Sequence, residues 1–253
     1  MHFEILKGIF IPFLGTLIGS AAVFFLKGEP KSSLSRFLSG FAAGVMIAAS
    51  IWSLLIPAIE ASAVFGSFAF LPATLGFFVG IIALLFTDRY LPLDIICKSE
   101  KAGSNTAILV LAVTLHNLPE GVAVGAVYAG LLSGSTDITL TAALALAIGI
   151  GLQNLPEGAI ISMPLYSVGL GRKKAFLIGV LSGIVEPIGA ALALLFYRYI
   201  AALPFLLSFA AGAMVYVVIE ELIPEASNKR DKMGVISFAL GFLIMMTLDV
   251  MLA

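Results

Sequence analysis

Charge is what this sequence has least of. Lys, Arg, Asp and Glu make up 11% of its 253 residues and apolar types 60%, whereas soluble domains average about 25% and 45–50%. Mean hydropathy is +1.12. So few charges cannot coat a soluble fold of this length, so lipid must be the solvent over most of the surface. The single cysteine, Cys97, excludes an intramolecular disulfide and a cysteine-rich metal site. The two histidines, His2 and His116, exclude a histidine-rich binding loop. They also leave no His-Glu-x-x-His pair of the kind an intramembrane metalloprotease would need. A net charge of −1 gives no reason to expect a nucleic-acid partner.

What is present is a series of charge-free runs near the roughly 20 residues a helix needs to cross a bilayer. They fall at about 8–26, 37–59, 67–87, 105–132, 138–168, 175–197, 202–222 and 233–253. The runs do not alternate and are rich in Leu, Ala and Gly, which favours helices over a barrel. Turn chemistry separates them: Lys27-Gly28-Glu29-Pro30, Ser133-Gly134-Ser135 and Gly169-Leu170-Gly171-Arg172. The first run exceeds the 7–15 apolar residues typical of a secretory signal, so it is expected to be a retained helix. The expectation is a single all-α integral membrane domain of eight spans.

Eight spans place the loops alternately on two sides. One side then holds Lys27, Lys31, Arg36, Arg89, Lys98, Lys101, Arg172, Lys173, Lys174, Lys229, Arg230 and Lys232, and the other only Lys7 and Arg198. The positive-inside rule puts both termini outside and the Cys97 loop in the cytoplasm. An odd span count would destroy this segregation. Gly-x-x-x-Gly pairs at 15/19, 40/44, 76/80, 121/125 and 179/183 suit a tightly packed bundle.

The chain also repeats itself. Leu115-His116-Asn117-Leu118-Pro119-Glu120-Gly121 in span 4 recurs as Leu152-Gln153-Asn154-Leu155-Pro156-Glu157-Gly158 in span 5, differing only at His116/Gln153. Phe41-Ala42-Ala43-Gly44-Val45-Met46 in span 2 recurs as Phe209-Ala210-Ala211-Gly212-Ala213-Met214 in span 7, and both spans later reach Ile-Pro, at 56–57 and 223–224. Spans 4 and 5 run in opposite directions, as do 2 and 7. Such inverted repeats are the usual build of secondary transporters. The expected arrangement is 3+2+3, with spans 1–3 inverted against 6–8 around a central pair.

Ionisable groups inside spans cost roughly 2.5–3.5 kcal/mol each on insertion scales, yet here they cluster. His116 and Glu120 are four apart and Asn117 and Glu120 three apart, so all share one helix face; Gln153, Asn154 and Glu157 repeat the geometry on span 5. Pro119 and Pro156 cannot donate to the carbonyls of Leu115 and Leu152 and are expected to kink their helices. Two facing helices would present carboxylates, amides, an imidazole and bare carbonyls to one point, which describes a cation site. One imidazole among oxygens suits Zn²⁺, Fe²⁺, Mn²⁺, Co²⁺ or Cd²⁺; Mg²⁺ and Ca²⁺ prefer all-oxygen shells. Met46 or Met214 could add one sulfur, or simply pack. Glu186 in span 6 could join the site or be a lone structural acid. Glu220 and Glu221 lie toward the cytoplasmic end of span 7, where solvated acids are the alternative. Together with Ser53, Glu60 and Asp249 they are candidates for an entrance or exit pathway.

At these motifs the sequence resembles the ZIP (Zrt/Irt-like protein) family of divalent metal transporters, the GufA-like prokaryotic branch in particular. The resemblance covers essentially the whole chain. It rests on His116-Asn117-x-Pro119-Glu120-Gly121, Gln153-Asn154-x-Pro156-Glu157-Gly158, Glu186-Pro187, the Gly-Val-Met of span 2 and the Glu-Glu-Leu-Ile-Pro of span 7. It implies zinc uptake toward the cytoplasm across the plasma or inner membrane, with no enzymatic activity. It implies one ion site from Met46, His116, Glu120, Gln153 and Glu157, and a second from Asn117, Glu120, Asn154, Glu157 and Glu186. Similar proteins move helices 1, 4, 5 and 6 against 2, 3, 7 and 8, and many are homodimers. Relatives often carry His or Asp where this chain has Gln153 and Asn154. A proton- or sodium-coupled carrier of a small organic solute shares the repeats and buried acids, but does not need His116 and matched amide and carboxylate ligands.

Overall fold

A computed structural model describes residues 2–26, 32–90, 104–134, 138–167, 169–195, 203–228 and 231–252. Among these residues every regular element is a helix. Helix α1 is His2–Ser20, extended by a 3-10 turn at Ala21–Phe24, and α2 is Ser32–Ala49, continued through a π-helical turn at Ser50–Leu55 into Ile56–Glu60. Helix α3 is Phe70–Tyr90, α4 is Ser104–Ser133 and α5 is Leu140–Ser167. Helix α6 comprises Arg172–Gly183 and Val185–Leu195; α7 comprises Leu203–Val217, a π turn at Val218–Leu222 and Ile223–Ala226; α8 is Met233–Leu252. Among the described residues, six stretches are long and apolar enough to cross a membrane: Ile5–Phe24, Ser32–Glu60, Leu140–Tyr166, Arg172–Leu195, Leu203–Ala226 and Met233–Leu252; Phe70–Phe86 is a shorter apolar helix.

The helices overrun the charge-free runs at several ends. Helix α1 begins at His2 rather than near 8, α2 at Ser32 rather than 37, and α7 continues to Ala226 rather than 222. Backbone hydrogen bonding does not stop where the apolar run does; Lys7, Arg36 and Glu225 sit in helical turns that extend beyond it. Helices α4 and α5 keep helical backbone on both sides of Pro119 and Pro156, and α5 also carries Pro164. The irregular turns lie elsewhere. In α2 the Ile56 N–H reaches back to Ile51, and in α7 the Ile223 N–H to Val218. Each residue directly precedes a proline, Pro57 or Pro224. A proline ring clashes with the carbonyl four residues back, and widening one turn to an i−5 bond relieves that clash. The third interruption, at Ile184 in α6, comes just before Glu186-Pro187.

Packing follows the glycines. Helix α1 packs on α5 and α4 on the second half of α6, while α2 packs on α8 and α3 on α7. A Cβ at Gly15 or Gly19 would strike the carbonyls of Gly151 and Leu155, and one at Gly40 or Gly44 those of Gly234 and Phe238. Four of the five Gly-x-x-x-Gly pairs, 15/19, 40/44, 76/80 and 121/125, lie at such crossings, while Gly179 and Gly183 face the side chains of Ser20, Ser162, Thr16 and Glu186. Among the described residues, every glycine whose Cβ would meet another helix's backbone lies within α1, α4, α5 and α6 or within α2, α3, α7 and α8. Between the groups, α2 meets α5 and α4 meets α7. That seam is filled by side chains of one apolar cluster that includes Val45, Met46, Val124, Leu146, Ile150 and Met214.

Each group also has a polar clasp at its helix ends. Arg36 on α2 pairs with Asp231 before α8 at 2.8 Å, and Ser35 donates to Glu225 at 2.6 Å. The Met233 backbone N–H and the Arg36 guanidinium hold the Asp231 carboxyl below the usual aspartate range. Arg172 on α6 donates to the Leu26 carbonyl at 3.0 Å and lies 4.9 Å from the Tyr166 ring centroid.

Candidate metal centre

The spacing read from the sequence places Asn117 and Glu120 on one face of α4 and Gln153, Asn154 and Glu157 on one face of α5. All five are buried, as is Glu186 on α6. The glycine after each motif glutamate brings in a third helix. A Cβ at Gly121 would strike the Glu186 carbonyl, so its absence lets α6 approach and sets Glu186 beside Glu120. A Cβ at Gly158 would strike the Thr16 carbonyl, so its absence lets α1 approach on the other side. Each Pro-Glu-Gly thus supplies a carboxylate and, one residue on, the gap through which a neighbouring helix completes the site.

The hydrogen bonds have a common direction. Gln153 Nε2 donates to Glu120 Oε1 at 2.6 Å, Asn117 Nδ2 to the Ser182 carbonyl at 3.1 Å, and Asn154 Nδ2 to the Pro12 carbonyl at 3.4 Å. Thr16 Oγ1 donates to Glu186 Oε1 at 2.7 Å. Donors are engaged by protein acceptors, and acceptors are left over. Asn117 Oδ1, Glu120 Oε2, Gln153 Oε1, Asn154 Oδ1, Glu157 Oε2 and Glu186 Oε2 are buried with no hydrogen-bond partner. Buried acceptors without donors are rare because each costs free energy.

The carboxylates also act on one another: Glu120 with Glu186, and Glu157 with Glu120, Glu186 and Glu221. Among the described residues, no Lys or Arg acts on these three acids. Carboxylates held together without a countercharge require a cation or protons. Among the described residues, no three His, Cys, Asp or Glu side chains form a ligand cluster by themselves. A cation held here would therefore need the amide oxygens of Asn117, Gln153 and Asn154 as well as the carboxylates.

The remaining expected residues fall in three places. Met46 and Met214 are buried in the apolar cluster at the seam. Residue 116 lies within α4, and its side chain is outside the described part of the structure. Ser53, Glu60 and Asp249 line one cavity of about 470 Å³, with Trp52, Val127 and Thr139. In it Ser53 donates to Asp249 Oδ1, while Asp249 Oδ2 is buried without a partner. Glu221 is half-buried and acts on Glu157, whereas Glu220 is exposed. The reading of the sequence missed Thr16. Its signal was a hydroxyl in an otherwise apolar run, one residue after Gly15 of a Gly-x-x-x-Gly pair.

The profile of the ZIP zinc transporter family matches residues 95–249, more than half of the chain and the whole of the α4–α5 motif pair. The chain belongs to the ZIP family. It is 35% identical to the zinc transporter ZIP11 of Homo sapiens, with 98% of this chain and 97% of that protein covered. It is 32% identical to the zinc transporter ZupT of Chlorobaculum parvum, covering 94% and 93%, and 33% identical to the zinc transporter GufA of Myxococcus xanthus, covering 79% and 80%. The ZIP family is one of transporters rather than enzymes, and these relatives give no support to the organic-solute carrier.

Proposed function

We propose that this ZIP protein carries zinc across the plasma or inner membrane toward the cytoplasm, by alternating access through the α4–α5–α6 site. The observation that carries the reading is the set of six buried, unpartnered oxygens around three carboxylates that no Lys or Arg among the described residues neutralises. A divalent cation satisfies those oxygens and offsets the charge together. Met46, His116, Glu120, Gln153 and Glu157 hold one ion, and Asn117, Glu120, Asn154, Glu157 and Glu186 the second, with the two glutamates bridging. The Ser53–Glu60–Asp249 cavity admits the ion, and Glu220 and Glu221 line its release. Fe²⁺, Mn²⁺, Co²⁺ and Cd²⁺ fit the same donors as competing cargo.

The eight-span, 3+2+3 architecture with both termini outside belongs to this proposal. Its support is the charge segregation and the packing. Exchanging α1 with α6, α2 with α7, α3 with α8 and α4 with α5 turns the α1–α5 pairing into α6–α4 and the α2–α8 pairing into α7–α3. The glycine-locked groups supply two bodies, and the apolar seam a surface along which they move. A homodimer is part of the same reading. The decisive test is uptake into proteoliposomes screened over Zn²⁺, Fe²⁺, Mn²⁺, Co²⁺, Cd²⁺ and Mg²⁺. Saturable zinc uptake is expected, with little Mg²⁺ entry; no uptake of any transition metal by folded protein overturns the proposal.

A further inference from the structure

The site described above rests on helices α4, α5 and α6. Helix α1 contributes one side chain to it, and nothing in the family motifs includes that residue. Thr16 is fully buried, and its hydroxyl donates to Glu186 Oε1 at 2.7 Å. Glu186 is fully buried as well, and its second oxygen, Oε2, has no partner.

Two glycines hold this pair in register. A Cβ on Gly158 would collide with the Thr16 carbonyl, which fixes the depth of α1 against α5. A Cβ on Gly183, one turn before Glu186, would lie 2.8 Å from Thr16 Cβ and Cγ2 and 3.0 Å from Glu186 Oε1. The bare backbone at Gly183 therefore makes the space in which hydroxyl and carboxylate meet. A threonine packed on both sides has little rotamer freedom, because β-branching already restricts its χ1.

We infer that Thr16 is a specificity-determining positioning residue that makes Glu186 a one-oxygen ligand. This deepens the metal-site reading and rests on it. With Oε1 occupied by the hydroxyl, the carboxylate offers Oε2 alone to an ion, on a fixed line of approach. A single oxygen suits a small ion such as Zn²⁺, which takes few ligands at about 2.0–2.2 Å. Larger divalent ions take more oxygens at longer distances and often accept both oxygens of one carboxylate, as Ca²⁺ does at about 2.3–2.6 Å. Cd²⁺ is close to Ca²⁺ in size. Blocking one oxygen withholds from such ions the ligand they would gain most from.

The test compares the wild type, Thr16→Val, which keeps shape but loses the donor, and Thr16→Ser, which keeps the donor. Zn²⁺ and Cd²⁺ binding to the purified proteins is measured by equilibrium dialysis, and the carboxylate stretches of the metal-loaded proteins by infrared difference spectroscopy. Thr16→Val should lower the Zn²⁺/Cd²⁺ affinity ratio by roughly tenfold, the scale of one hydrogen bond to a charged group. The splitting between its antisymmetric and symmetric carboxylate stretches should narrow, as bidentate binding requires, and Thr16→Ser should restore both. Should Thr16→Val not fold, Thr16→Ala, which adds no atom, takes its place. An unchanged ratio overturns the inference while leaving the site intact. An equal loss of both ions that serine does not restore also overturns it, because packing rather than the hydroxyl would then be the cause. No binding of either metal to folded wild type would instead remove the metal site itself.

Discussion

At the scale of the residue, the site is defined by which atom of each side chain is left free. An Asn or Gln brings two donors and an acceptor to a buried position. Here the donors of Asn117, Gln153 and Asn154 point to the Ser182 carbonyl, Glu120 and the Pro12 carbonyl, and their oxygens remain. Glu120→Ala or Glu157→Ala removes a charged ligand at the hub of each motif. Zinc uptake should fall by more than ~100-fold, since even residues that only orient ligands typically account for 10–100-fold, while expression and elution volume stay normal. Near-normal uptake by either variant would rule out the assigned ligands. Glu186→Gln keeps shape and hydrogen bonding but removes one charge. In the proposed two-ion site, two divalent ions would carry four positive charges and three carboxylates would offset three of them, so a second ion would depend on Glu186. Bound zinc should drop from two ions toward one in equilibrium dialysis, with the tighter site retained; two tight ions in the variant would contradict the assignment.

At the scale of the element, function depends on helices approaching to backbone contact. The α1–α5 crossing runs through Gly15, Gly19, Gly151 and Gly158, and the α4–α6 crossing through Gly121, Gly125 and Gly189. Both crossings also carry polar groups of the site, so a shift of either helix moves ligands. Gly15→Ala places a methyl group on the Gly151 carbonyl, and overpacking of this kind typically costs about 1–3 kcal/mol. Gly171→Ala, at the start of α6, meets nothing within 4 Å. Thermal unfolding in detergent should therefore show a clear drop in Tm for Gly15→Ala and little change for Gly171→Ala. Equal melting of the two variants would show that the α1–α5 contact does not constrain the fold. The π turns have a similar logic: each absorbs a proline, and the one in α2 carries Ser53 to its bond with Asp249.

At the scale of the whole molecule, the question is how the bundle lies in the membrane. In the proposed eight-span arrangement, 12 of the 14 Lys and Arg fall on one side, at or beyond the span ends, and such positive segments stay in the cytoplasm. That arrangement puts Cys97, which is outside the described residues, on the same side. A membrane-impermeant thiol reagent is expected to label it only from the cytoplasmic face, in inverted vesicles and not in intact cells. Labelling of intact cells would reverse the orientation, and with it the assignment of the Ser53–Asp249 cavity as the mouth through which zinc enters.

The amino-acid sequence by itself determined the helical, membrane-embedded character of the chain, the internal repeat and the group of polar residues at its centre. Hydropathy and the spacing of three and four residues are local properties, so they are readable along the chain; Asn117, Glu120, Gln153, Asn154 and Glu157 are buried on the faces that spacing gave, and Glu186 is buried within its apolar run. Tertiary structure alone decided which oxygens remain free. The partners that settle this are far off in sequence: Thr16 lies 170 residues from Glu186, Pro12 lies 142 from Asn154, and Ser182 lies 65 from Asn117. Two of the three partners are backbone carbonyls, which every residue has and no pattern of side chains reveals. Their positions follow from how closely α1 and α6 can approach the central pair, and that closeness is set where the glycines of one helix meet the backbone of another.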